Sequence, residues 1–270
     1  MGLRFIYGEA GTGKTTYCFN EIKSKINETN KIYIITPEQF SFTAEKHLLE
    51  IVPNNAVLNA EVVTFNRMAY RVFTEVGGAT KTVLTECGNA ILISDILANR
   101  KKELKFLGKS EKNIELVARL FTELKKHGIT LEILEKTIED TNDMYLKYKL
   151  QDIYLLFKDY HDRLQNKYID SNDVLTKLIE NLDESKMFDD SIVYIDEFAG
   201  FTEQEYTIIK KILNKAKQVN ITICSDWLEN TRGPESDIYY QNKITAQKLV
   251  ELAEKRKYRR SSCIKEKIQI

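Results

Sequence analysis

The 270-residue sequence is poor in residues that break or staple a chain, with three prolines, 11 glycines and four cysteines. So little proline and glycine excludes collagen-like and low-complexity classes, and 43% hydrophobic residues are enough to bury a substantial core. Cys18, Cys87, Cys224 and Cys263 lie far apart, with no CxxC and no Cys/His spacing. That argues against a zinc site or a small disulfide scaffold and suits reduced thiols. His47, His127 and His161 are isolated from one another and from any cysteine pair, so each reads as an ordinary surface or core residue. Neither charge is in excess: 40 Lys and Arg balance 40 Asp and Glu, so any nucleic-acid contact must come from local patches. No apolar run approaches the ~18 residues of a membrane span, and the apolar stretch near the amino terminus is too short for a signal peptide. The expectation is a cytoplasmic protein with no membrane association.

What is present is alternation. Residues 3–7 (LRFIY) form an apolar run that stops at Gly8, and a glycine-rich loop then leads into a segment where Cys18, Phe19, Ile22 and Ile26 recur at helical spacing. A second strand-like run at 31–36 is ended by Pro37 and followed by a helix, and a third at 61–64 precedes a helix carrying Phe65, Met68, Ala69, Val72 and Phe73 on one face. Three such units in succession predict a parallel α/β sheet. From 82 to 186 every apolar pattern is helical, with no strand candidate. Strand-like runs return at 191–195 and 219–224, around a helix over roughly 203–217, and a further helix is expected near 244–257. The chain therefore divides into a discontinuous nucleotide-binding domain, 1–81 and 187–270, and an all-helical insertion, 82–186.

Gly8, Gly13, Lys14 and Thr15 fill the pattern G-x-x-x-x-G-K-[ST] between a predicted strand and a predicted helix, the context that the motif requires. Glycines let successive N–H groups turn inward around a phosphate, and the helix that follows adds the positive end of its dipole. The loop Gly8, Glu9, Ala10, Gly11, Thr12, Gly13, Lys14, Thr15 and Thr16 is the expected ATP site. Lys14 would bridge the β- and γ-phosphates and Thr15 would ligate Mg2+. The run IVYIDE places Asp196 and Glu197 at the end of another strand. Asp196 is the expected metal partner, and Glu197 is placed to orient or deprotonate an attacking water.

A compact kinase or GTPase core has no need of a helical insert of about a hundred residues between these motifs. The arrangement resembles the first RecA-like domain of superfamily 1 helicases, with the insert in the place of their 1B region. GEAGTGKTTY at 8–17, ITPEQFSFTAE at 35–45, VVTFNRMAYRVFTEVGG at 62–78 and YIDEFAGFTEQE at 194–205 further resemble the amino-terminal region of the AddB (RexB) family, which supplies the second subunit of bacterial helicase–nucleases. The resemblance implies an ATP-binding subunit that pairs with an AddA-type subunit to process double-strand DNA ends for recombinational repair. It also implies a helicase-like portion that is not the main motor and takes part in recognising Chi on the exiting single strand. In that family the nuclease domain and its iron–sulfur cluster lie far downstream, so the chain is expected to be an amino-terminal fragment lacking both. The second RecA-like domain, whose arginine finger is worth roughly 10³ or more in rate, is likewise expected to lie outside this chain, so the chain alone should turn over ATP slowly or not at all. The loop begins too early for the upstream glutamine with which superfamily 1 helicases read adenine.

Domains of this type hold single strands with loops at the carboxyl ends of strands. Thr36, Gln39, Thr64, Asn66 and Arg67 occupy those positions and are the candidate DNA contacts. Phe40, Phe42 and Phe65 are either base-stacking residues or helix-start hydrophobes packed in the core. The basic run 255–260 is either a phosphate contact or a solvated helix face. Two other functions fit the motifs: a self-contained nucleotide or nucleoside kinase with the insert as its lid, and a P-loop scaffold that binds ATP without turnover. A lid would cluster arginines over the phosphates, whereas Arg100, Arg119 and Arg163 are scattered through the insert.

Overall fold

The computed structural model describes residues 2–26, 30–52, 59–77, 82–107, 113–165, 168–169, 171–228, 235–254 and 264–267. The elements run β1 (Gly2–Gly8), α1 (Lys14–Lys25), β2 (Ile32–Ile35), α2 (Glu38–Ile51), β3 (Ala60–Val63) and α3 (Phe65–Val76). They continue with β4 (Thr82–Val83), α4 (Glu86–Arg100), α5 (Asn113–Lys126), α6 (Leu131–Asp140), α7 (Met144–Gln165), β5 (Tyr168–Ile169) and α8 (Ser171–Asn181). The last elements are β6 (Ile192–Ile195), α9 (Glu203–Lys215), β7 (Gln218–Cys224), α10 (Tyr240–Glu254) and β8 (Ile264–Lys267). The chain forms two compact units, Met1–Val76 with Leu178–Ile270, and Gly77–Lys177.

The first unit is built on a six-stranded sheet in the order β3-β2-β6-β7-β1-β8, with every pairing parallel. Strands covered on both faces need continuous rather than alternating apolar sequence, which is why β2 (IYII) and β6 (IVYI) are buried along their whole length. Ile6, Ile32, Ile34, Val62, Ile192 and Tyr194 pack on one side with Cys18, Phe19 and Ile22 of α1 and Ala44 and Leu48 of α2. Parallel strands share one direction, so the segments after β1, β2, β3, β6 and β7 all emerge at the same edge. The helix α9 starts with a capping box in which Thr202 accepts from Glu205 N and the Glu205 side chain accepts from Thr202 N, sharpening the exit from the loop after β6.

The second unit is helical apart from one short feature. Ile93, Ile96 and Leu97 of α4, Val117 and Phe121 of α5, Leu134 of α6, and Leu156, Phe157, Tyr160 and Leu164 of α7 form its core. The Phe121 ring lies 5.1 Å from Phe157 and 4.9 Å from Tyr160, and the Tyr160 hydroxyl donates to Asn89 Oδ1 at 2.7 Å. Asp152 is buried and accepts from the N–H groups of Lys105, Phe106 and Leu107 at 3.1, 2.8 and 3.1 Å, fixing the segment after α4.

Three features depart from the sequence reading. The region expected to be wholly helical carries β4 and β5, paired in parallel through Thr82–Tyr168 and Val83–Ile169. Two residues per strand are too few to show a period of two. Beside β1 runs β8, whose sequence IKEK has three charged residues in four; such an edge strand carries no apolar signature. The last helix, expected near 244–257, begins at Tyr240. The basic run 255–260, Gly233, Pro234 and Cys263 lie outside the described residues.

Candidate functional site

The loop between β1 and α1 is shaped by Gly11 and Gly13, at φ 78° and 76°, a region that side-chain-bearing residues rarely adopt. Gly13 caps α1 in that conformation, and the Tyr17 N–H donates to its carbonyl at 2.8 Å, so the helix starts directly at Lys14. The Lys14 ammonium folds back over its own loop and donates to the carbonyls of Gly8 at 3.0 Å and Glu9 at 2.7 Å. The Thr12 hydroxyl donates to Glu9 O at 2.9 Å, tying the loop's two sides.

Opposite this loop, β6 delivers Asp196 and Glu197. Asp196 is 4% exposed; its N–H donates to Ile35 O of β2 at 3.0 Å, and its Oδ1 accepts from Glu197 N at 2.9 Å and the Thr222 hydroxyl at 2.5 Å. Glu197 has φ 66°, a left-handed backbone unusual for a residue other than glycine and costing about 1–3 kcal/mol. The conformation aims its carboxylate at the glycine loop, where Oε1 accepts from the Thr15 hydroxyl at 2.9 Å. Residues 182 positions apart thus meet across the carboxyl edge of the sheet. Ala10, Gly11, Gly13, Lys14, Thr15, Thr16, Asp196, Glu197, Phe198, Ala199, Thr222, Cys224 and Asn242 line one cavity of about 550 Å³. The lining brings a hydroxyl, two carboxylates and an ammonium together with the glycine loop, a set that suits a hard cation and a polyphosphate.

Thr222, Cys224, Asn242 and Phe198 are parts of this site that sequence reasoning missed. Thr222 and Asn220 interrupt an otherwise apolar strand (QVNITIC), which was the available signal. Asn220 serves the interior instead, donating to Val193 O at 3.2 Å. Arg4 of β1 binds both oxygens of Glu21 at 2.9 Å and the Tyr17 hydroxyl at 2.8 Å, clamping α1 to the strand that feeds the loop. Burial works to raise the Glu21 carboxyl, but Arg4 and Lys25 outweigh it and hold that group below its ordinary value.

At the ends of β2 and β3, Thr36 and Thr64 are buried, at 2% and 1% exposure, whereas Gln39, Asn66 and Arg67 are exposed. The Thr64 hydroxyl and Asn66 Nδ2 both donate to Glu38 Oε1, at 2.6 and 3.2 Å, and Arg67 pairs with Glu45. The aromatic residues divide. Phe65 is buried with its ring 5.6 Å from Phe198, while Phe42 remains 75% exposed. In the second unit Arg100, Arg119 and Arg163 pair with Asp159, Glu115 and Asp95. Among the described residues no cluster of His, Cys, Asp and Glu could hold a metal, and no helix is long and apolar enough to cross a membrane.

The family model for the amino-terminal region of AddB matches residues 5–268. The chain is 41% identical over 260 residues to the B subunit of the ATP-dependent helicase/deoxyribonuclease of Clostridium botulinum (strain Loch Maree). Proteins with the same name in Clostridium tetani and Clostridium kluyveri are 41% and 42% identical over 264 and 261 residues. Each alignment covers 94% of this chain but 23% of the relative, so the chain spans about a quarter of the length of the curated relatives it matches. With a sheet that carries a glycine loop facing an Asp-Glu pair, and a match along nearly all of its length, the chain belongs to the AddB amino-terminal family.

Proposed function

We propose that this chain is the ATP-binding, helicase-like part of the AddB-type component of a DNA helicase–deoxyribonuclease, acting in the cytoplasm with an AddA-type partner on double-strand DNA ends. The observation that carries the reading is the meeting of Thr15 with Glu197, beside Asp196, across the sheet from the glycine loop. In that role the N–H groups of residues 9–16 cradle the β-phosphate, and Lys14 exchanges the carbonyls of Gly8 and Glu9 for phosphate oxygens. Thr15 and Asp196 hold Mg2+, and Glu197 orients the attacking water. The names of the relatives, which specify ATP dependence, support the nucleotide, and the hard oxygen donors support magnesium.

Gln39, Asn66 and Arg67 are the surface members of the proposed single-strand contact, with Thr36 and Thr64 behind them. The insert arginines, each paired with a carboxylate of its own unit, give the kinase reading nothing to build on. The test is a titration of the purified chain with a fluorescent ATP analogue, with and without magnesium and single-stranded DNA, following phosphate release in the same samples. Tight magnesium-dependent binding with negligible turnover is expected. Brisk phosphotransfer independent of DNA would sink the reading in favour of a kinase.

A further inference from the structure

The carboxylates on β6 mark the end of the cavity where the terminal phosphate of a nucleotide belongs. In the sheet order β6-β7-β1-β8, the ends of β7 and β1 lie away from those carboxylates and are the candidate place for the nucleoside end. That side is not bare. The Ser225 N–H donates to Gly8 O at 3.1 Å, fastening the segment after β7 to the first residue of the glycine loop. Two residues further on, Trp227 lies with its ring 5.4 Å from the Lys267 ammonium of β8. Since Lys267 is in register with Tyr7, Trp227 reaches across the end of β1 where the glycine loop begins. Its indole is 49% exposed, although it is the one tryptophan of the sequence and sits among buried strand ends.

The start of α10 closes the same region. Lys243 pairs with Asp226 at 2.9 Å and with Asp237 at 2.6 Å, locking the segment after β7 to the helix. Asn242 lines the phosphate cavity, and its Nδ2 donates to Cys224 O at 2.7 Å. A carbonyl only accepts, so the amide orientation is fixed and Oδ1 is left as the acceptor of this cavity-lining residue. Tyr239, just before α10 and three residues before Asn242, donates its N–H to Asp237 Oδ1 at 2.9 Å; burial first and then the charges of Glu9, Cys224, Asp226 and Asp237 push its hydroxyl up. Two aromatic rings and an oriented amide acceptor beside a phosphate loop are the ingredients with which proteins hold a nucleobase carrying an exocyclic amine.

We propose that the base of the bound nucleotide lodges against the start of α10 and the segment after β7, between Tyr239 and Trp227, with Asn242 Oδ1 accepting from its exocyclic amine. The inference rests on the nucleotide-binding reading, and one pair of ligands separates the two. Mg-ATP and magnesium tripolyphosphate offer the loop similar phosphates, but only ATP carries a base. Trp227 is the only indole, so its fluorescence reports this place alone, while calorimetry measures binding of either ligand independently.

ATP should bind more tightly than tripolyphosphate and change the Trp227 emission, whereas tripolyphosphate should bind and leave it unchanged. Tyr239→Ala should weaken ATP roughly tenfold, about one stacked base, without moving the tripolyphosphate affinity, and Tyr239→Phe should retain most of the ATP affinity. Asn242→Leu should narrow the preference for ATP over GTP. Equal affinities for the two ligands, the same emission change with both, or a Tyr239→Ala variant that binds ATP normally would overturn the proposal while leaving the phosphate loop intact. Binding of neither ligand would overturn the nucleotide reading, and this inference with it.

Discussion

The two units solve different problems with similar amino acids. In the second unit, buried polar groups serve its own architecture: Asp152 caps a turn, Tyr160 ties α7 to α4 through Asn89, and the arginines pair with local carboxylates. In the first unit, polar groups gather at the carboxyl edge of the sheet, where Asp196, Thr222, Glu197 and Thr15 form one connected set. The difference follows from geometry. Packed helices bury their stripes sideways and satisfy their own backbone, whereas a parallel sheet brings the ends of several strands to one place. Chemistry collects where chain segments converge.

The contrast can be broken most sharply at Lys14. Lys14→Ala should abolish Mg-ATP binding in calorimetry while the circular dichroism spectrum and melting curve stay close to those of the parent; unchanged affinity would remove the foundation of the site. Phe121→Ala should do the reverse, costing about 3–5 kcal/mol by opening a cavity in the helical core while the remaining folded protein still binds nucleotide. Hydrogen exchange should locate the damage in α4–α7, and a loss of nucleotide affinity under conditions where the protein stays folded would show that the units are not energetically separable.

Asp152→Ala leaves three backbone N–H groups without their acceptor and should cost about 1–3 kcal/mol, again in the helical unit alone. At the sheet edge, replacing Asn66 and Arg67 with Ala should weaken single-stranded DNA binding and flatten the dependence of log affinity on log salt by about 0.7 for each phosphate contact removed. An unaltered slope would return both residues to a structural role. The smallest effect concerns pH. Because folding holds the Glu21 carboxyl below its ordinary value, the clamp's contribution is complete above that value and is lost as pH falls through the depressed one. Glu21→Gln should therefore lower stability at neutral pH, flatten the acid limb of the stability profile, and change little at its acid end.

Much of the fold was legible because its signals are local. Continuous apolar runs such as IYII and IVYI announce strands buried on two faces, and the helical faces of α3 and α5 are visible from spacing. What escaped was too short or too charged to carry a period, namely β4, β5 and β8. At the site, Lys14, Thr15, Asp196 and Glu197 stood out because their pattern is contiguous and its flanking elements are recognisable. Thr222 and Asn242 did not, since an isolated threonine in a strand and an asparagine in a helix are ordinary residues until neighbours give them a task. Phe65 and Phe42 show the same limit: both lie near helix starts, and only packing buried one and exposed the other.

By itself, the sequence determined the parallel α/β sheet, the glycine loop and the acidic pair, because each is written in neighbouring residues whose backbone preferences and periodicity act over a few positions. The tertiary structure alone decided that β7 lies between β1 and β6, that Thr222 donates to Asp196, and that Glu197 takes a left-handed backbone to reach Thr15. Those outcomes depend on strand order and on contacts between distant segments, which pairing across the sheet fixes and no local preference encodes.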